Sequence, residues 1–96
     1  MKYYYVYILA SKEYWVLYIW VTNDLIRRTI EHWETKNRGF TQRYFVRKLV
    51  WYEIFSDIHE AIAQEKRMKK WKREYKVNVI ERRNPDWKDL FDEITS

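Results

Sequence analysis

The chain has no cysteine, which excludes disulfides and thiolate metal sites and agrees with a reducing compartment. It has one glycine, Gly39, and one proline, Pro85, in 96 residues, where average usage would supply about seven glycines. Little provision is left for positive-φ turns or for close approach of backbone to a ligand. No apolar run approaches the roughly 18 residues of a membrane-spanning helix, and the N-terminus lacks a signal-peptide pattern. The expectation is a cytoplasmic protein with no membrane segment. Zinc-type ligand spacing, a phosphate-cradling glycine loop and a Ser-His-Asp arrangement are also missing, so thiol or zinc hydrolysis is poorly supported.

What the chain has instead is aromatic surface and positive charge. Six tryptophans, nine tyrosines and four phenylalanines bring the aromatic share to 20%. The net charge of +5 is unevenly placed: residues 1–48 carry nine Lys/Arg against four Asp/Glu, and residues 49–96 carry ten against ten. Within the second half, residues 66–76 hold seven bases and one acid, and residues 86–93 hold four acids and one base. A concentrated basic segment suits a phosphate backbone, with Lys66, Arg67, Lys69, Lys70 and Arg73 as contacts. A solvated helix face is the plain alternative. The length fits one domain over residues 1–96, with a thin core.

Two runs rich in Tyr, Val and Ile, Tyr3 to Leu9 and Val16 to Val21, read as an antiparallel hairpin. Its connection, SKEYW, lacks the Gly, Asn or Asp that such turns usually recruit. Asn23 and Asp24 offer an N-cap for a helix to about Glu34. TKNRGFTQRYFVR reads as a polar loop, and Leu49 to Phe55 as a strand covered on both faces. Asp57 and Glu60 fit a capping box opening a helix whose apolar stripe is Ile58, Ala61, Ile62, Met68 and Trp71 or Lys72. A second helical stretch follows from about Lys72 to Arg83. Asn84-Pro85 then reads as cap and first position of a last helix, with Trp87, Leu90, Phe91 and Ile94 on one side. The expected order is ββαβααα, an α+β domain with a three-stranded antiparallel sheet flanked by helices.

Four features could carry chemistry. Arg28 and His32, four apart on one helix face, could present two groups to one phosphate; an exposed Arg beside a half-buried His is the bland alternative. Tyr7 and Tyr18 lie on adjacent strands and could meet, although strand tyrosines are common. Glu65 falls on an apolar stripe, where an ionised carboxylate needs a cation, a hydrogen-bonding partner or a metal. An ion pair with a neighbouring Arg would also satisfy it. Asn84 is most simply a helix cap.

YVYIL followed by LYIW, then TNDLIRR with EH after it, then AIAQEKRMKKWKRE and NPDW, resembles the small single-domain GIY-YIG nuclease-like proteins across almost the whole chain. Tyr5-Val6-Tyr7 looks like the first half of the signature and Tyr18-Ile19-Trp20 like the second. The resemblance implies a nuclease-type site on a small sheet flanked by helices. Tyr7 would activate or order the attacking water, and Tyr18 would line the scissile phosphate. Arg28 would stabilise phosphate charge, with His32 as proton acceptor or tyrosine partner. Glu65 would hold Mg²⁺ or Mn²⁺, and Asn84 would support the site. A single carboxylate suits Mg²⁺, which keeps several waters of its own.

The departures from that pattern share a direction. Trp20 stands where the second half-motif ends in glycine, and Tyr14-Trp15 where a glycine-containing turn is common. Phe45 replaces a glycine, Ile30 a tyrosine, and Trp33 lies near an expected polar position. Drift would scatter; a common move to large apolar groups is what an engineered variant of a natural scaffold would carry. Two functions are therefore expected. One is a metal-dependent DNA endonuclease using Tyr7, Tyr18, Arg28, His32, Glu65 and Asn84. The other is a binding protein on this fold, with nuclease activity weakened or lost, in which Tyr14, Trp15, Trp20, Ile30, Trp33 and Phe45 form an aromatic patch for a protein partner or a second copy.

Overall fold

The computed structural model describes residues 2–10, 16–34 and 48–95, with the side chains of residues 32–34 outside that set. Strands β1 (Tyr4–Ala10), β2 (Leu17–Thr22) and β3 (Lys48–Phe55) form one antiparallel sheet in the order β2-β1-β3. Among the described residues, helices α1 (Leu25–Glu34), α2 (Ile58–Lys70), α3 (Arg73–Arg83) and α4 (Phe91–Thr95) give the order ββαβααα. Among the described residues no helix is long and apolar enough to cross a membrane.

β1 is the central strand, and Val6 to Ala10 are all fully buried. Strand alternation splits them between two cores. Val6, Ile8 and Ala10 pack with Ile19, Val50, Trp51, Ala61, Met68, Ile80 and Trp87 under α2 and α3. Tyr7 and Leu9 pack with Leu25 and Leu49, joined by Tyr18, Tyr52, Leu90 and Ile94, under α1 and α4. A register shift between Ile8 and Leu9 against β3 lets Val50 and Trp51, consecutive in sequence, both enter the first core.

Helix starts follow the sequence. The Thr22 hydroxyl accepts from the Asp24 N–H at 3.1 Å, and Asp24 Oδ1 accepts from the Arg27 N–H at 3.1 Å, closing the first turn of α1. Asp57 Oδ1 accepts from the His59 N–H at 2.9 Å and opens α2. On α2 the buried stripe is Ala61, Glu65 and Met68, while Ile58 is exposed.

Two expectations need correction. β3 is an edge strand covered on both faces only in its first half; Glu53 and Ile54 are exposed, Ile54 at 55%. The last helix does not start at Pro85. Asn84 is instead the C-cap of α3 and is buried. Its Nδ2 donates to Val50 O at 3.1 Å and Lys88 O at 2.9 Å, and its Oδ1 accepts from the Lys88 N–H at 3.0 Å. These bonds hold residues 84–88 in a turn in which Trp87 adopts a left-handed φ of 55°. A side chain with a Cβ resists that conformation by about 1–2 kcal/mol. Burial of the indole in the first core, with its N–H donating to Glu81 Oε2 at 2.8 Å, offsets the strain. Trp87 therefore packs on the opposite side of the sheet from Leu90 and Ile94. α4 begins only at Phe91, whose N–H donates to Asp89 Oδ1 at 3.1 Å.

Replacing Asn84 by Ala strands the Val50 carbonyl and the Lys88 amide together. Urea denaturation should show a loss of about 2–3 kcal/mol. A loss below about 0.5 kcal/mol, the range of ordinary surface changes, would refute the clamp.

Candidate active site

The site begins with a parity argument. Tyr7 on β1 is paired with Trp20 on β2, and Leu9 with Tyr18, so all four side chains share the α1 face. Tyr7 and Tyr18 are thus diagonal neighbours, as their expected meeting requires. The Tyr18 and Trp20 rings stack with centroids 5.7 Å apart and planes 23° from parallel.

On the α1 side, Arg28 reaches Tyr7. Burial pushes the phenol up to about 12, while the Arg28 guanidinium, through its charge and a side-chain hydrogen bond, pulls the other way. Glu31 adds a smaller upward push. Arg28 Nη1 also lies 3.2 Å from Glu31 Oε1. The arginine is half-exposed, so it touches the buried phenol while presenting cationic surface outward.

The candidate metal carboxylate comes from the opposite layer. Glu65 projects from α2, whose Ala61 and Met68 pack on the other face of the sheet. Its residue is 8% exposed, and its Oε2 lies 2.7 Å from Lys69 Nζ. The same ammonium sits 4.3 Å from the centre of the Trp20 ring. α2 and Trp20 therefore meet at the β2 edge of the sheet. The chain of neighbours runs from Arg28 to Tyr7, across the strands to Trp20, then through Lys69 to Glu65.

Asn84 is not part of that chain. It bonds β3, and β1 lies between β3 and the β2 edge. Lys66, Arg67, Lys69 and Lys70 on α2 and Arg73 at the start of α3 are all exposed, with Arg67 Nη2 donating to Gln64 Oε1 at 2.6 Å. His32 lies on α1, but its side chain, like that of Trp33, is outside the described set, as are Tyr14, Trp15 and Phe45. Of the expected aromatic patch, Trp20 is 37% exposed and Ile30 is half-buried on α1.

Sequence reasoning placed Lys69 only among phosphate contacts. Its pairing with Glu65 follows the i,i+4 Glu-to-Lys spacing and was open to that argument. Its contact with Trp20, 49 positions away, had no local signal. Among the described residues no three His, Cys, Asp or Glu side chains converge to hold a metal. A single enclosed carboxylate still fits a hydrated divalent ion of the Mg²⁺ kind, with Lys69 as its competitor.

A family model described as the GIY-YIG catalytic domain matches residues 3–78. Among solved structures, the solution NMR structure of the UPF0213 protein BH0048 from Bacillus halodurans is 26% identical. The likeness covers 92% of this chain and 93% of that one, with a TM-score of 0.59. A search of curated proteins finds no match.

The raised Tyr7 pKa has a stability consequence. A phenol that ionises at about 12 in the folded chain and near 10 when unfolded adds stability that is complete below pH 10 and lost as pH rises through about 12. The decline from this group is at most about 1.4 kcal/mol per pH unit. Urea unfolding followed between those pH values should fall more steeply for the wild type than for Tyr7→Phe. Identical slopes would contradict the burial of an un-ionised Tyr7.

Proposed function

Because the chain belongs to the GIY-YIG family, we propose that it is a nuclease-type, DNA-binding domain whose phosphodiester hydrolysis is weakened at the metal carboxylate. The observation that carries this reading is the 2.7 Å contact between Glu65 and Lys69, with Trp20 packed over the same ammonium where a half-motif glycine would leave space. GIY-YIG nucleases are generally dependent on a divalent metal. Glu65 would hold Mg²⁺ or Mn²⁺, which when bound polarises phosphoryl oxygens and acidifies water.

The remaining roles belong to the protein's own groups. Arg28 offers a half-exposed guanidinium to a phosphate oxygen. Tyr7, with its pKa pushed up to about 12, keeps its proton at neutral pH and acts by orienting water or phosphate through its hydroxyl. Tyr18 flanks the same space. Lys66, Lys70 and Arg73 would hold the nucleic-acid backbone, with affinity that falls as salt rises.

Branched and linear DNA incubated with Mg²⁺ or Mn²⁺ tests this. The wild type should cleave slowly, Glu65→Ala should not cleave, and Trp20→Gly should cleave roughly tenfold faster, a barrier change of about 1.4 kcal/mol. Equal cleavage by wild type and Glu65→Ala would remove the enzymatic reading; no gain with Trp20→Gly would remove the weakening.

A second reading is favoured by the exposure of Trp20 on an edge strand, with Tyr18 stacked beside it. Such an aromatic pair suits a protein partner or a second copy, with Tyr14, Trp15, Ile30, Trp33 and Phe45 as further contributors. Sedimentation should then show concentration-dependent association lost in Trp20→Gly. A monomer at high concentration whose tryptophans are all shielded from quencher would tell against it.

A further inference from the structure

The Lys69 ammonium has two anchors on different elements. The Glu65 carboxylate holds it from one turn earlier on α2, and the Trp20 ring holds it from β2. The partners differ in freedom: the Glu65 side chain is 10% exposed, whereas that of Lys69 is 43% exposed. The carboxylate cannot leave without disturbing the core, whereas the lysine, anchored at the surface, can swing outward once it gives up the Glu65 and Trp20 contacts. A groove of about 270 Å³ along Val16 to Trp20 lies beside it, lined also by Lys76.

We propose that Lys69 is a resident cation of Glu65, clasped by Trp20, and that a divalent ion must displace it in order to bind. The proposal rests on the reading of Glu65 as the metal ligand. An ammonium and a divalent cation repel one another, so occupation of Glu65 Oε2 by one weakens binding of the other. The exchange makes and breaks no covalent bond. Trp20 acts on it indirectly, by the attraction of the ring face for the ammonium, and so sets how readily a metal enters. The groove that receives Lys69 already contains Lys76, whose Nζ donates to Lys69 O at 3.4 Å. Two lysines lining one groove favour an anion such as phosphate, so an incoming strand would help draw the Lys69 ammonium away.

Mn²⁺ binding to the full chain, followed by loss of the free-ion electron spin resonance signal without nucleic acid, tests the proposal. Lys69→Met should bind roughly three- to thirtyfold tighter than wild type, the combined reach of an ion pair and a ring contact. Lys72→Met removes the same charge from an exposed position nearby that makes none of the proposed contacts, and should change affinity by less than about twofold. Trp20→Leu should also tighten binding, and this gain should vanish when Lys69 is already Met. Overturning results are Lys69→Met binding no tighter than Lys72→Met, or Trp20→Leu acting equally with and without Lys69. Glu65→Gln separates the two levels of the argument. Undiminished binding by Glu65→Gln, or no uptake by any variant, defeats the metal-ligand reading and the proposal with it; Glu65-dependent binding that ignores Lys69 defeats the resident cation alone.

Discussion

Pairing on both sides of β1 is the constraint on which the rest of the molecule depends. Because β1 has strands at both flanks and helices over both faces, Val6 to Ala10 lose all contact with solvent. Alternation along that strand then decides which layer each neighbour serves. A slip of one residue would send the Tyr7 phenol toward α2 and α3 and bring Val6 or Ile8 to Arg28, so core and site would fail together. The register shift is confined to the β3 side, where it feeds Val50 and Trp51 into one core, while the β1–β2 ladder that positions Tyr7 against Trp20 runs unbroken.

The electrostatics of the β2 edge follow from that placement. Cationic groups approach from two layers: Arg28 from α1 and Lys69 from α2. Tyr7 between them remains un-ionised because desolvation outweighs the attraction of Arg28. Glu65 is enclosed yet not isolated, since the helix itself supplies its counter-charge one turn later. Trp20, an apolar residue, thus has an electrostatic role: the face of the indole is an electron-rich surface, and the Lys69 ammonium lies over it.

Much of the architecture was legible because the signals were local. Alternating Tyr, Val and Ile runs marked β1 and β2; Asp24 and Asp57 marked the helix starts; the spacing of Ala61, Glu65 and Met68 placed a carboxylate on a buried stripe. The C-terminal region was misread for a physical reason. Asn84-Pro85 is equally good as the start of a helix, and what decides against that use is a bond to Val50, 34 residues away, together with Trp87 held at positive φ by burial. Ile54 and Ile58 were expected inside because composition shows hydrophobicity, not which strand or turn lies at an edge. The Tyr7–Arg28 contact was half visible: the sequence put Arg28 on α1, but that it would meet Tyr7 depended on how α1 lies on the sheet.

The segment after α3 finishes one side of the sheet. The Leu49 carbonyl accepts from the Leu90 N–H at 2.7 Å, the Leu49 N–H donates to Asp89 Oδ1 at 3.2 Å, Asn84 takes the Val50 carbonyl, and Arg83 takes that of Tyr52. β3 is last in the strand order, yet its backbone from Leu49 to Tyr52 is already engaged by residues that are not a strand. A fourth strand, offered by another copy or by an unfolding neighbour, would have to evict this braid before it could zip on. The same few bonds that terminate α3 thereby act as a selvedge, limiting growth of the sheet into larger aggregates from that margin.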